Sequence, residues 1–113
     1  MLKQLVLLFA IVAATQASGG WNEQAIVTDD IMDLARWSAS QLSQYTNGKD
    51  HTIMTVKNLK TQVVNGMNYK FTLDVVVSLE DNKYEMKSCD ISIYEQKWTQ
   101  TKYFFAAPVC RNL

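Results

Sequence analysis

After Gly66 the odd positions Tyr69, Phe71, Leu73, Val75, Val77 and Leu79 are apolar, while Asn68, Lys70, Thr72, Asp74 and Ser78 between them are polar. Successive side chains of a strand leave on opposite faces, so this alternation predicts a long, half-buried antiparallel strand, with Val76 the one breach. The polar run Glu80-Asp81-Asn82-Lys83 predicts a turn, after which Cys89, Ile91 and Ile93 carry an inward parity to Tyr94. Upstream, His51 to Leu59 is rich in β-branched residues; downstream, Lys102 to Val109, with Tyr103, Phe104 and Phe105, reads as a last strand. Gln62 to Gly66 and Glu95 to Thr99 are the expected connections.

Before His51 the period changes. Ile31, Leu34, Ala35, Ser38, Leu42 and Tyr45 fall at helical spacing, Thr28 can cap with its hydroxyl, and Asp29 and Asp30 complement the helix dipole. Asn47-Gly48 is expected to end this helix in a left-handed conformation. Asp33, Arg36, Ser40 and Gln44 occupy the other face, so the helix should lie across a sheet. Ser18 to Val27 shows no sustained period and reads as a flexible start. The predicted class is α+β: one long α-helix with an antiparallel β-sheet of four strands wrapped around it.

The first seventeen residues do not belong to that core. Lys3, the apolar run Leu5 to Ala14 and the small Ala17 form a secretory signal, and ten apolar residues are too few to span a membrane, which takes roughly 20. Residues 1–17 are therefore expected to be a signal peptide, and 18–113 a secreted, extracellular domain with no membrane association after cleavage. Cys89 and Cys110 then have one possible connectivity in an oxidising compartment, a disulfide contributing about 3 kcal/mol.

The whole chain balances 11 basic against 11 acidic residues with no basic block, which argues against nucleic acid as a partner. Catalytic signatures are missing: the single histidine, His51, starts a strand, both cysteines are better explained as a disulfide, and no phosphate loop or metal-ligand spacing occurs. An enzyme, a metal or a cofactor is not expected. Function should lie in a surface.

That surface is made by loops. Gln62-Val63-Val64-Asn65-Gly66 places two valines at a hairpin tip, Gln96-Lys97-Trp98 places an indole at another, and Gly19-Gly20 can reach the same end of the sheet. The order Gly-Gly, helix, Gln-x-Val-x-Gly, loop Trp, with Cys89 and Cys110 bracketing that Trp, resembles the secreted type 2 cystatins over nearly all of residues 18–113. The resemblance implies a fifth, short strand near Glu23 to Thr28, and reversible inhibition of papain-like cysteine proteases such as cathepsins by a monomeric wedge. Its protease-binding residues would be Gly19, Gly20, Gln62, Val63, Val64, Asn65, Gly66, Lys97 and Trp98.

Three departures qualify that implication. Such cystatins usually carry four cysteines, where this chain has two; Lys97 stands where a proline usually precedes the Trp; and only Ser18 would precede the glycines. Weaker or narrower inhibition follows, and the alternative is a secreted binding or immunomodulatory protein on the same fold. Some relatives also inhibit legumain through a Ser-Asn-Asp after the helix, of which Thr46-Asn47-Gly48 keeps only Asn47.

Overall fold

The structure, a computed structural model, describes residues 20–96, 100 and 102–113. The expected signal peptide and the site candidates Gly19, Lys97 and Trp98 lie outside the described residues. Along the chain run β1 (Asn22–Glu23), α1 (Asp29–Ser40), β2 (Asp50–Val64), β3 (Gly66–Ser78), β4 (Tyr84–Gln96), β5 (Lys102–Phe105) and β6 (Val109–Asn112). The sheet is antiparallel in the order β1-β2-β3-β4-β5, with β6 also paired to β4. The α+β expectation holds, with a short first strand that lies at Asn22–Glu23 and so overlaps the expected Glu23 to Thr28 only at Glu23.

β3 is the spine. Its odd residues Phe71, Leu73, Val75 and Val77 are buried with Cys89, Ile91 and Ile93 of β4 and with Leu34, Ala35 and Ala39 of α1. Ala35 and Ser38 are wholly inaccessible, and such small side chains let the helix sit close to the sheet. Ser38 donates to the Leu34 carbonyl at 2.8 Å, so its burial leaves no hydroxyl unmet.

β2 keeps no simple alternation, for a physical reason. Its register against β3 slips between Ile53 and Thr55 and again between Lys57 and Lys60, where Asn58 takes a left-handed φ of 56°. Each bulge inserts a residue and sharpens the twist, so the core-facing positions are Ile53, Val56 and Leu59. The curved strand can thereby follow the helix.

Several expected boundaries move. α1 stops at Ser40 instead of running to Tyr45, because the chain tightens: the Gln41 N–H donates to the Ser38 carbonyl at 2.9 Å, and a 3-10 turn covers Leu42–Gln44. Neither Asn47 nor Gly48 takes the left-handed conformation expected of them. Gly48 is needed for space, since a Cβ there would lie 2.1 Å from Val77 Cγ1 and 2.6 Å from the Ser78 carbonyl oxygen.

The connections are also shorter than expected, because strand pairing runs through Gln62 to Val64 and through Glu95 to Gln96. Asp81 and Asn82, both with left-handed φ, close the β3–β4 hairpin in the way its twist favours. The expected last strand breaks in two at Ala106-Ala107-Pro108, where proline offers no N–H to the ladder. Pairing resumes with Cys110 opposite Cys89, and the two form a disulfide.

The outer face of the sheet carries a polar ladder. Lys57 meets Asp74 at 2.9 Å, Thr55 donates to Asp74 at 3.1 Å, Thr72 donates to Asp90 at 2.9 Å, and Arg111 meets Asp90 at 2.9 Å. Hydrogen bonds from Lys57 to Asp74 and from Arg111 to Asp90 hold both carboxyl groups below the ordinary carboxylate value of 3.8.

Two outcomes follow for stability. Gly48→Ala should cost about 1–3 kcal/mol, read as a lower urea midpoint, by overpacking the site against Val77. The depressed Asp74 and Asp90 values mean that their contribution is complete above pH 3.8 and drains away as the pH falls below it through the folded values. Lys57→Met should therefore flatten the acid limb of a stability-against-pH curve; an unchanged limb would remove Asp74 from that role.

Candidate functional site

Beyond the reach of α1, the β2–β3 hairpin ends in a tip flanked by β4, which pairs with β3 as far as Met67 opposite Glu95. Pairing persists to its end, Val64 facing Gly66 and Asn65 alone standing outside the ladder. Val63 and Val64 consequently leave on opposite faces: Val63, about half exposed, pairs with Met67 on the helix side, and Val64 lies on the outer side. One residue row below, Asn68 Nδ2 donates to Gln62 Oε1 across the strands at 2.9 Å, which fixes the register at the root of the tip.

The antiparallel register brings the other elements to the same edge. Asn22 pairs with Thr61 and Glu23 with Lys60, so the chain preceding Asn22 runs toward the tip and carries Trp21 and Gly20 there. The Gln24 N–H donates to the Leu59 carbonyl at 2.9 Å, and the Lys70 ammonium sits 4.6 Å from the centre of the Trp21 ring. On the other side, Met67 faces Glu95, and Gln96, the last residue of β4, pairs with Lys102, the first of β5. Gly20, the tip from Val63 to Gly66, and the strand ends Gln96 and Lys102 thus share one edge.

Gly66 is held more tightly than its sequence context suggests. Its φ of +123° suits glycine, and a Cβ would lie 2.4 Å from the Glu95 carbonyl oxygen and 2.8 Å from Tyr94 Cε1. Its smallness is already used inside the molecule. The Tyr94 hydroxyl donates to the Asn65 carbonyl, and its ring stacks on Phe104 with centroids 5.9 Å apart. Trp21, Lys70, Tyr94 and Phe104 line a groove of about 420 Å³ on the outer face below the tip.

On the inner face, the buried Glu95 carboxylate accepts from the Tyr69 hydroxyl at 2.9 Å and also meets Tyr103. Burial first, then the hydrogen bond and charge of Glu95, push the Tyr69 phenol well above its ordinary 10.0. Tyr103 packs on Trp37 at 5.3 Å, and Trp37 meets Phe105 edge-on at 5.6 Å, which ties the base of this edge to the helix.

Asn47 lies elsewhere. It is exposed just before β2 begins at Asp50, opposite Ser78, at the far end of the sheet from Asn65. His51 Nε2 lies 2.6 Å from Thr46 Oγ1, and burial lowers its pKa, so a hydrogen-bonded, mostly neutral imidazole suits a structural place. Among the described residues no cluster of three or more His, Cys, Asp or Glu side chains could hold a metal ion.

Tyr94 and Glu95 stand at this edge without belonging to any motif visible in the sequence. Its place on the outer parity of β4 does not single out Tyr94, since Tyr84 and Met86 share that parity; Glu95 gives no signal either, since carboxylates near loops are common.

A cystatin domain model matches residues 19–107, a span that includes every described part of this edge. Cystatin-2 of Ornithodoros moubata is 32% identical over 112 residues, covering 94% of this chain and 87% of that protein. The chain belongs to the cystatin family. Cysteine proteinase inhibitor 6 of Oryza sativa subsp. japonica is 27% identical over 103 residues, covering 90% of this chain and 88% of that protein. The crystal structure of the salivary cystatin of the soft tick Ornithodoros moubata matches with a TM-score of 0.65 at 25% identity, covering 83% of this chain and 98% of that one. Members of the cystatin family are protease inhibitors and not enzymes.

The tyrosine network has a measurable consequence. Because the folded state holds Tyr69 neutral above its unfolded value, the network's stability is complete below pH 10 and is lost as pH rises through and beyond it. Phenolate absorbance should show tyrosine that ionises late, only with unfolding, and Glu95→Gln should bring that step to lower pH.

Proposed function

We propose that this cystatin inhibits papain-like cysteine proteases of the cathepsin type, reversibly, by filling the active-site cleft with three elements. These are the Gly19-Gly20 segment, the tip Gln62 to Gly66, and the loop carrying Lys97 and Trp98. The observation that carries the reading is the convergence of Gly20, the tip and the strand ends Gln96 and Lys102 on one edge, past the end of the helix.

The chemistry requires no reactive group in the inhibitor. Val63 and Val64 offer apolar area on both faces of a thin hairpin, worth about 25 cal/mol per Å² removed from water. An edge held by internal hydrogen bonds loses little freedom on binding. A strand-paired tip also resists adopting the extended, accessible backbone that a protease must cleave.

Secretion belongs to the same proposal: residues 1–17 direct export, and residues 18–113 act outside the cell as a monomer. The salivary cystatin of Ornithodoros moubata, similar along most of its length, supports that setting. Asn47, exposed at the opposite end, leaves room for a separate contact with legumain that would not compete with the wedge.

The test is titration of the recovered secreted chain against papain. Activity should fall progressively and return on dilution, with the inhibitor uncleaved and its first residue Ser18. Trp98→Ala should weaken inhibition roughly 30-fold or more if the indole is an interfacial anchor, and Gly66→Ala should do the same by deforming the tip. Full papain activity at micromolar inhibitor would overturn the reading in favour of a binding protein on the cystatin fold.

A further inference from the structure

Across the outer face, one residue row links four strands: Gln62 of β2, Asn68 of β3, Tyr94 of β4 and Phe104 of β5 stand directly opposite one another in turn. The first two share a hydrogen bond and the last two stack. The row lies just below the edge.

We propose that Tyr94 is the positioning residue of the wedge, a strut that holds the β2–β3 tip in its binding shape from the β4–β5 side. This rests on the inhibitor reading above and adds a residue to it. Asn65 is the one tip residue outside the ladder, and the Tyr94 hydroxyl takes up its carbonyl. Gly66 next to it is packed so closely on Tyr94 and the Glu95 carbonyl that no side chain fits between.

The tip therefore cannot swing toward β4, and it cannot swing away without breaking the bond from Tyr94. The ring itself is fixed by Phe104, from the strand that leads out of the Trp98 connection. Tyr94 and Phe104 are the same pair that walls the groove on this face. The tip is then braced against the paired strands β4 and β5, and the entropy of ordering the tip is met during folding and not during binding. Tyr94 acts through Asn65 and Gly66; it need not touch a protease.

The experiment uses the full chain, expressed with its own leader, as wild type, Tyr94→Phe and Phe104→Leu. Inhibition constants for papain are measured beside 15N order parameters for Asn65, Gly66 and core residues Leu73 and Val75. Tyr94→Phe keeps the ring and deletes one hydroxyl, so inhibition should weaken about three- to tenfold, the scale of one hydrogen bond. The order parameters of Asn65 and Gly66 should fall while those of Leu73 and Val75 stay constant. Phe104→Leu should shift both in the same direction by freeing the ring.

The proposal fails if Tyr94→Phe leaves the tip as ordered as before, or loosens it without changing inhibition. It also fails if core and tip loosen equally, since that marks Tyr94 as general packing. Should the wild type leave papain untouched, the inhibitor reading falls by itself, and the order parameters alone then decide whether Tyr94 orders the tip.

Discussion

Burial of the odd face of β3 under α1 is the constraint from which the rest of the molecule follows. Phe71, Leu73, Val75 and Val77 can be covered by one short helix only because Ala35, Ser38 and Ala39 let it come close. Once that face is fixed inward, register decides every other side chain, since a one-residue slip in β2 or β4 would turn its apolar set to water. The two bulges of β2 keep Ile53, Val56 and Leu59 inward along a strand that must also curve. Asp74, Asp90 and Tyr94 are on the outer face for the same reason, as partners of Thr55, Thr72 and Asn68.

The functional edge is what remains where the helix ends and the strands do not. The strands outrun α1, and without a layer to cover it such an edge would be loose. The chain compensates with cross-strand links: Gln62 to Asn68, Tyr69 to Glu95, and Tyr94 to Asn65. Each joins β3 or its tip to a neighbouring strand, so the edge is braced sideways. The Trp37, Tyr103 and Phe105 rings then fasten the base of β5 to the helix.

How far the sequence could be read tracks how local the deciding interaction is. The period of β3, the capped start of α1, the turn at Asp81-Asn82 and the lone pair Cys89 and Cys110 all declare themselves within a few residues or by elimination. The end of α1 did not, because Ser38 and Ser40 hydroxyls bonded to the Leu34 and Trp37 carbonyls make a tightening turn that helical periodicity cannot detect. Gly48 looked like a helix stop since its real constraint, Val77 and Ser78, lies about thirty positions away in the chain. The same holds at the site: Gln62 to Gly66 is a visible motif, whereas Tyr94 matters only through the register that sets it beside Asn65.

The departures from the family pattern bear on how such an edge could work. With Lys97 before Trp98, and a single residue before Gly19 after the expected cleavage, the sequence itself offers little restraint for two of the three proposed contacts. The β2–β3 tip must then supply most of the preorganisation. Among the described residues of the edge it is bonded to its neighbours through Asn68 at its root and Tyr94 at its side, and packed against the Glu95 carbonyl. Bracing of this kind fixes the shape that a cleft must accept and limits how far the tip can adapt to a different one, so tight ordering of one loop favours a narrow range of targets over a broad one.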